Sequence, residues 1–191
     1  MGNASMLIEP GGTWDTLAAI ANVIIAAAAL SVAVISIYFT RSALRAQVHH
    51  NKLSVRPIPA VIPMDFENRI AVEILNNGTG PLIIKGLWVI SDGEESSTDL
   101  IKYMPRSATV AWSDFNTYLS GTTILPGTRI NLIELSDDES FRPNDFTGFR
   151  DECRRALAPL SVRLAYTDIY EDEFPDQTCR LDWFGRHGAD S

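Results

Sequence analysis

Apolar and polar positions follow three different patterns along this chain. Residues 17–39, LAAIANVIIAAAALSVAVISIYF, do not alternate at all: they carry no charge, and only Asn22, Ser31 and Ser36 are polar. As a helix, this stretch spans roughly 35 Å at ~1.5 Å per residue, against a hydrocarbon core about 30 Å thick. A helix packed in a soluble core keeps a polar face, and this one has none. Trp14 precedes it and Tyr38 and Phe39 close it, so aromatic rings fall at both membrane interfaces. A secretory signal opens with basic residues; residues 1–16 have no Lys or Arg and contain Glu9 and Asp15. The pattern predicts a short extracytoplasmic N-terminus over 1–16 and a transmembrane helix over 17–39.

The second pattern is a basic juxtamembrane stalk over 40–55, which continues the helix until Pro57, Pro59 and Pro63 forbid it. The third, over 56–184, has mostly period two, the signature of strands. In 69–75, Ile70, Val72 and Ile74 share one face. The stretch 82–90, LIIKGLWVI, is apolar on both faces except at Lys85 and fits a strand covered on both sides. Around 122–135 a Pro126-Gly127 turn separates two strands, and the switch of face between Leu132 and Ile133 suggests a bulge. Residues 160–167 and 178–184 alternate and are expected to pair as a hairpin. One helix interrupts the strands: Phe146, Phe149, Cys153, Ala156 and Leu157 recur at helical spacing over 144–158, with Asn144 or Asp145 as cap and Pro159 as stop. A short helix is expected at Asp114–Leu119 and an acidic loop at Glu94–Asp99. Residues 185–191 read as a flexible tail.

Charge sets the orientation. No Lys or Arg precedes the apolar stretch, whereas Arg41, Arg45, Lys52 and Arg56 follow it. Positive charge stays on the cytoplasmic side, which places the N-terminus outside and the large C-terminal domain in the cytoplasm. The chain has 16 Lys+Arg against 24 Asp+Glu, a net charge of -8, which argues against a nucleic-acid partner bound by phosphate neutralisation. Two cysteines are too few for a disulfide scaffold. Ala29, Ala33 and Ser36 lie on one side of the span, a small-residue arrangement that permits homo-oligomer formation, and Asn22 can bond a partner helix.

The strings LNNGTGPLIIKGLWVISDG and ILPGTRINLIEL resemble bacterial immunoglobulin-like domains of the cell-adhesion-related type, in which an N-x-G-x-G-P turn separates two core strands and an L-P-G turn opens a later one. The whole layout resembles an uncharacterised group of bacterial single-pass membrane proteins with an N-terminal helix, a basic stalk and a strand beginning Arg-Pro, as at Arg56-Pro57. The resemblance implies an immunoglobulin-like β-sandwich in a bacterial inner membrane protein. The helix at 144–158 lies outside the simple sandwich pattern. The fold expected is therefore mainly β, an immunoglobulin-like sandwich with one inserted helix, preceded by a transmembrane helix.

Candidate chemistry is sparse. No nucleophile elbow, zincin, Walker, dinucleotide or C-x-x-C motif occurs, so no catalytic residue, cofactor or metal is assigned. His49 and His50 sit in the stalk without neighbouring ligands, and His187 lies near the C-terminus. Cys153 and Cys179 read as buried structural thiols. Carboxylates cluster at Glu134, Asp137, Asp138 and Glu139, and again at Asp168, Glu171, Asp172, Glu173 and Asp176. The second cluster lies between the last two strands and is the candidate protein-binding loop, since grouped like charges steer a cationic partner. Arg142, Arg150, Arg154 and Arg155 are expected to pair with acids on their own helix. The expected partners are thus the lipid bilayer, a protein and a second copy of the helix. The function expected is an anchored cytoplasmic binding, adaptor or sensory module; the alternative is a membrane effector whose helices oligomerise when the β-domain binds a ligand.

Overall fold

The computed structural model describes residues 11–96, 99–107, 111–137 and 145–187. Glu9, Ser97, Thr98, Asp138, Glu139, Arg142 and Asn144, and the side chains of Asp145 and His187, lie outside the described residues. The chain divides into two compact units, Met1–Asn51 and Lys52–Ser191.

A single unbroken helix, α1, runs Gly11–Ser54. Residues 12–51 are all exposed, and the most apolar window of the helix has a mean hydropathy of 2.5. The helix is thus long and apolar enough to cross a membrane. Its hydroxyls turn back on their own backbone: Ser31 Oγ donates to the Ala27 carbonyl and Thr40 Oγ1 to that of Ser36, both at 2.8 Å. Such bonds remove the penalty of an unpaired donor in an apolar surround.

The second unit is built from two antiparallel sheets. Its strands are β1 (Pro59–Phe66), β2 (Arg69–Asn76), β3 (Leu82–Ser91), β4 (Glu94–Ser96), β5 (Asp114–Phe115), β6 (Thr123–Ile124), β7 (Arg129–Ser136), β8 (Ser161–Thr167) and β9 (Gln177–Arg180). One sheet has the order β1-β2-β7-β5; the other has β4-β3-β8-β9, with β6 also on β3. A helix, α2 (Asp145–Leu157), lies between β7 and β8 in the chain. One hydrophobic core draws on both sheets and the helix, through Ile70 and Ile74 of β2, Ile84 of β3, Leu164 of β8, and Cys153 and Leu157 of α2. The suspected bulge is present: Val72 faces Ile133 and Glu73 faces Asn131, leaving Leu132 as the extra residue on β7.

Three expectations are corrected. Asp114–Leu119 is not a helix, because pairing with β7 wins over local helix formation. Asp114 and Phe115 face Glu134 and Ile133, Asn116 Nδ2 donates to the Asn131 carbonyl at 2.9 Å, and Ser113 Oγ accepts from the Ser136 N–H. Within the loop expected at Glu94–Asp99, residues Glu94–Ser96 pair with β3 as a strand. The last strand stops at Arg180, and a 3-10 turn follows over Asp182–His187. That change of period buries Phe184 at 1% exposure and leaves Trp183 half exposed, the reverse of strand alternation. A second 3-10 turn, Leu100–Tyr103, gave no recognisable signal.

Two buried polar side chains tie these elements together. Asn76 is fully buried, and its amide uses its whole bonding capacity. Nδ2 donates to the carbonyls of Gly80 (2.8 Å) and Ile124 (3.0 Å), while Oδ1 accepts from the N–H groups of Gly78 (2.9 Å) and Ile58 (3.3 Å). Close backbone packing accompanies the lock: a Cβ on Gly80 would come within 1.7 Å of the Val55 carbonyl oxygen, and one on Gly78 within 2.4 Å of that of Arg56. This is why the N-x-G-x-G-P turn needs both glycines. Asp65 at the end of β1 is the other lock. Its carboxylate has no exposure and receives Arg154 of α2 at 2.6 Å and Arg186 of the last turn at 3.2 Å.

The outer edge of β1 is closed to further strands. Pro59 and Pro63 offer no donor there, the Val61 carbonyl lies 3.6 Å from the Cys179 thiol of β9, and that of Asp65 accepts from Arg186. Replacing Asn76 with Ala strands two carbonyls and two N–H groups in a buried site. Asn76→Ala is expected to destabilise the β-domain by about 3 kcal/mol, measured by urea denaturation, because each unsatisfied buried group costs about 1–3 kcal/mol.

Candidate functional site

The strand LIIKGLWVI carries one charge in an otherwise apolar run, and the structure gives that charge a distinct geometry. Ile84 faces Tyr166 and Gly86 faces Ala165, so Lys85 is an extra residue in a β-bulge with no partner on β8. Bulges re-aim side chains and mark the rims of sites. The Lys85 carbonyl accepts from Ser120 Oγ at 2.9 Å, and among the described residues its ammonium joins no ion pair. Next to it, Gly86 makes room for a ring: a Cβ there would lie 2.3 Å from the edge of the Trp88 indole. The Arg163 guanidinium, opposite Trp88 on β8, sits 4.2 Å from the indole centroid, and Glu95 and Asp176 hold it there.

Lys85, Gly86, Trp88 and Ser120 border a cavity of about 290 Å³. Its floor is apolar, from Leu100, Leu119 and Leu132, all nearly or fully buried. Its rim carries Lys85, Lys102 and Tyr118. Asp99 neutralises part of the Lys102 charge at 3.5 Å. Tyr118 is 89% exposed and adopts φ of 58°, a left-handed conformation that bulky residues avoid. The isolated lysine of β3 was visible in the sequence; its bulge, and the contribution of residues 99–102 and 116–120, were not.

The acidic loop between β8 and β9 is largely engaged with its own domain. Asp168 is buried and accepts from the N–H groups of Tyr170 (2.8 Å) and Asp172 (3.1 Å), which shapes the turn. Asp172 pairs with Lys52 at 2.7 Å, and Asp176 pairs with Arg163. Glu171 and Glu173 point outward, beside the half-exposed Ile169 and Tyr170. Two of the four basic residues after the apolar stretch also have partners in this domain. Lys52 lies 5.4 Å from the Tyr170 ring as well as on Asp172, and Arg56 lies 5.2 Å from the ring of Phe174, which stacks on Tyr166. Arg41 and Arg45 are exposed on α1, as are Asn22, Ala29, Ala33 and Ser36.

The remaining chemistry is structural. Burial pushes the Cys153 thiol up to about 12, and burial also raises Cys179, so neither supplies a thiolate at neutral pH. Arg154 reaches both Asp65 and, on its own helix, Asp151, while Arg150 donates to the Glu67 carbonyl. Arg155 donates to the Asp151 carbonyl. On β2 and β7, the buried Glu73 is held between Arg69 at 2.7 Å and Arg129 at 3.1 Å. Among the described residues, no group of three His, Cys, Asp or Glu side chains is placed to hold a metal ion. No protein-family model matches the chain, and no curated protein matches it.

Arg69 also bonds Glu134 at 2.7 Å and is the main reason its carboxyl sits below the ordinary value of 4.5; Ser136 and Asn131 add hydrogen bonds in the same sense. A depressed folded pKa contributes stability that is complete above the unfolded value and is lost as the pH falls through the folded one. The Glu134→Gln variant should therefore be less stable than the parent at neutral pH, with the gap closing as the pH drops below 4.5. Denaturation midpoints measured across that range check this.

Proposed function

We propose that this chain is a single-pass protein of a bacterial inner membrane, with its N-terminus outside and its β-domain in the cytoplasm, and that it works by binding rather than by catalysis. The observation that carries the reading is the uncharged stretch 17–39, lying wholly exposed within one unbroken helix. The basic residues that follow it, with none before, support the orientation. Cys153 is buried and Cys179 half-buried, and many arginines and two of the five loop acids of the β-domain are engaged in ion pairs, which favours a binding module over an enzyme. An immunoglobulin-like sandwich is the fold reading that fits. The orders β1-β2-β7-β5 and β4-β3-β8-β9 match the A-B-E-D and C′-C-F-G orders of that architecture, with α2 as an insertion between strands E and F.

In this reading the domain is an adaptor or sensor confined to the membrane plane. Glu171 and Glu173 are the loop carboxylates available to a cationic protein partner. The alternative is an oligomerising effector, favoured by the exposed small-residue side at Ala29, Ala33 and Ser36.

The test is extraction and protease protection in the cells of origin. The chain should resist alkaline carbonate extraction and keep an intact N-terminus by mass. Deleting residues 17–39 should release it. Protease added to intact spheroplasts should leave the β-domain whole and digest it after lysis. A shortened N-terminus would make the helix a cleaved signal, and digestion in intact spheroplasts would reverse the orientation.

A further inference from the structure

Many charged side chains of the β-domain are paired within it. Glu73 has Arg69 and Arg129, Asp65 has Arg154 and Arg186, and Asp172 has Lys52. Arg163 has Glu95 and Asp176. Lys85 is one of the cations with no ion pair to a described residue. It is the extra residue of a bulge in an apolar strand, and it lines a cavity with a leucine floor. A well-packed sheet gains nothing from a bulge whose cation has no ion-pair partner among the described residues. The arrangement gains purpose if an anion completes it.

We propose that this cavity binds a small amphipathic monoanion, its carboxylate on the Lys85 ammonium and its apolar body on the leucine floor beside Trp88. Lys102 supplies a second donor. Asp99, 3.5 Å from Lys102, removes one of the two positive charges, which matches the site to a singly charged head. A volume of about 290 Å³ falls at the small end of ligand cavities, which run about 300–1,000 Å³. A ring or a branched chain therefore fits, and a long lipid tail does not. Tyr118, exposed and left-handed in its backbone, lines the same cavity. This inference rests on reading the β-domain as a binding module; it does not depend on the helix crossing a bilayer.

The experiment is equilibrium dialysis of the full chain in nonionic detergent, with detergent alone as blank. The probes are 1-naphthoate and its neutral isostere 1-naphthamide. The parent should bind 1-naphthoate saturably and at least about tenfold more tightly than 1-naphthamide, the preference of one charge-assisted hydrogen bond. Lys85→Gln should erase that preference. Arg180→Gln, which removes an equal charge from the exposed end of β9, should keep it. An unchanged thermal midpoint for Lys85→Gln shows that the variant is folded; Lys102→Gln, with its smaller expected loss, reads the same site independently. Equal affinity for the two probes, no saturable binding, or equal losses in Lys85→Gln and Arg180→Gln would overturn the proposal. A chain that binds 1-naphthoate but fails carbonate extraction would keep this site and sink the membrane anchor, and the reverse result would do the opposite.

Discussion

The β-domain depends on the side-chain amide of Asn76. A primary amide offers two donors and two acceptor positions, and here each meets a main-chain group. The four partners lie in three segments: Ile58 just ahead of β1, Gly78 and Gly80 in the turn after β2, and Ile124 at the end of β6. Two backbone bonds of the same residue, to Thr128 and from Gly127, bring in the turn before β7. The first residues of the domain, Val55–Ile58, are thus packed against two glycines that tolerate no side chain. No aspartate could replace the amide, because a carboxylate has no donor for the Gly80 and Ile124 carbonyls.

Around that lock, charge serves mainly to join elements. Asp65 connects the edge strand to the helix and to the last turn, and Glu73 and Glu134 connect β2 to β7 through arginines. Carboxylates buried with guanidinium groups are costly to break and modest in net stabilisation, so their value is in specifying which elements meet. Among the described charges outside these pairs are the outward acids Glu171 and Glu173 and the cation at the β3 bulge, which lie on different parts of the domain. One is an acidic loop; the other is a cavity of about 290 Å³ lined by Lys85 and Lys102.

What could be read from the sequence followed from periodicity. The uncharged run 17–39, the alternation in β2 and β8, the helical spacing of Phe146, Phe149, Cys153 and Leu157, and the turn at Asn76–Pro81 are local signals, and local signals survive without knowledge of the fold. Where partners are distant, the sequence carried no cue. Asp114–Leu119 has the composition of a short helix, and only pairing with β7 makes it extended. Asp65 looks like any surface acid until α2 and the last turn bring arginines to it. The acidic loop appeared as a block of like charge, and long-range pairing with Lys52 and Arg163 takes up two of its five carboxylates, while Asp168 bonds the turn's own backbone. Lys85 stands out in the sequence as an exception to its strand, but its place in a bulge depends on the register with β8.

The claim that Asn76 makes the first residues of the domain part of its cooperative core is tested most directly by amide hydrogen exchange. The N–H groups of Ile58 and Gly78 both donate to Asn76 Oδ1. They should exchange as slowly as those of Val72 and Ile74 in β2, opening only when the whole domain unfolds. Exchange at the rate of an exposed turn, while β2 stays protected, would contradict the account.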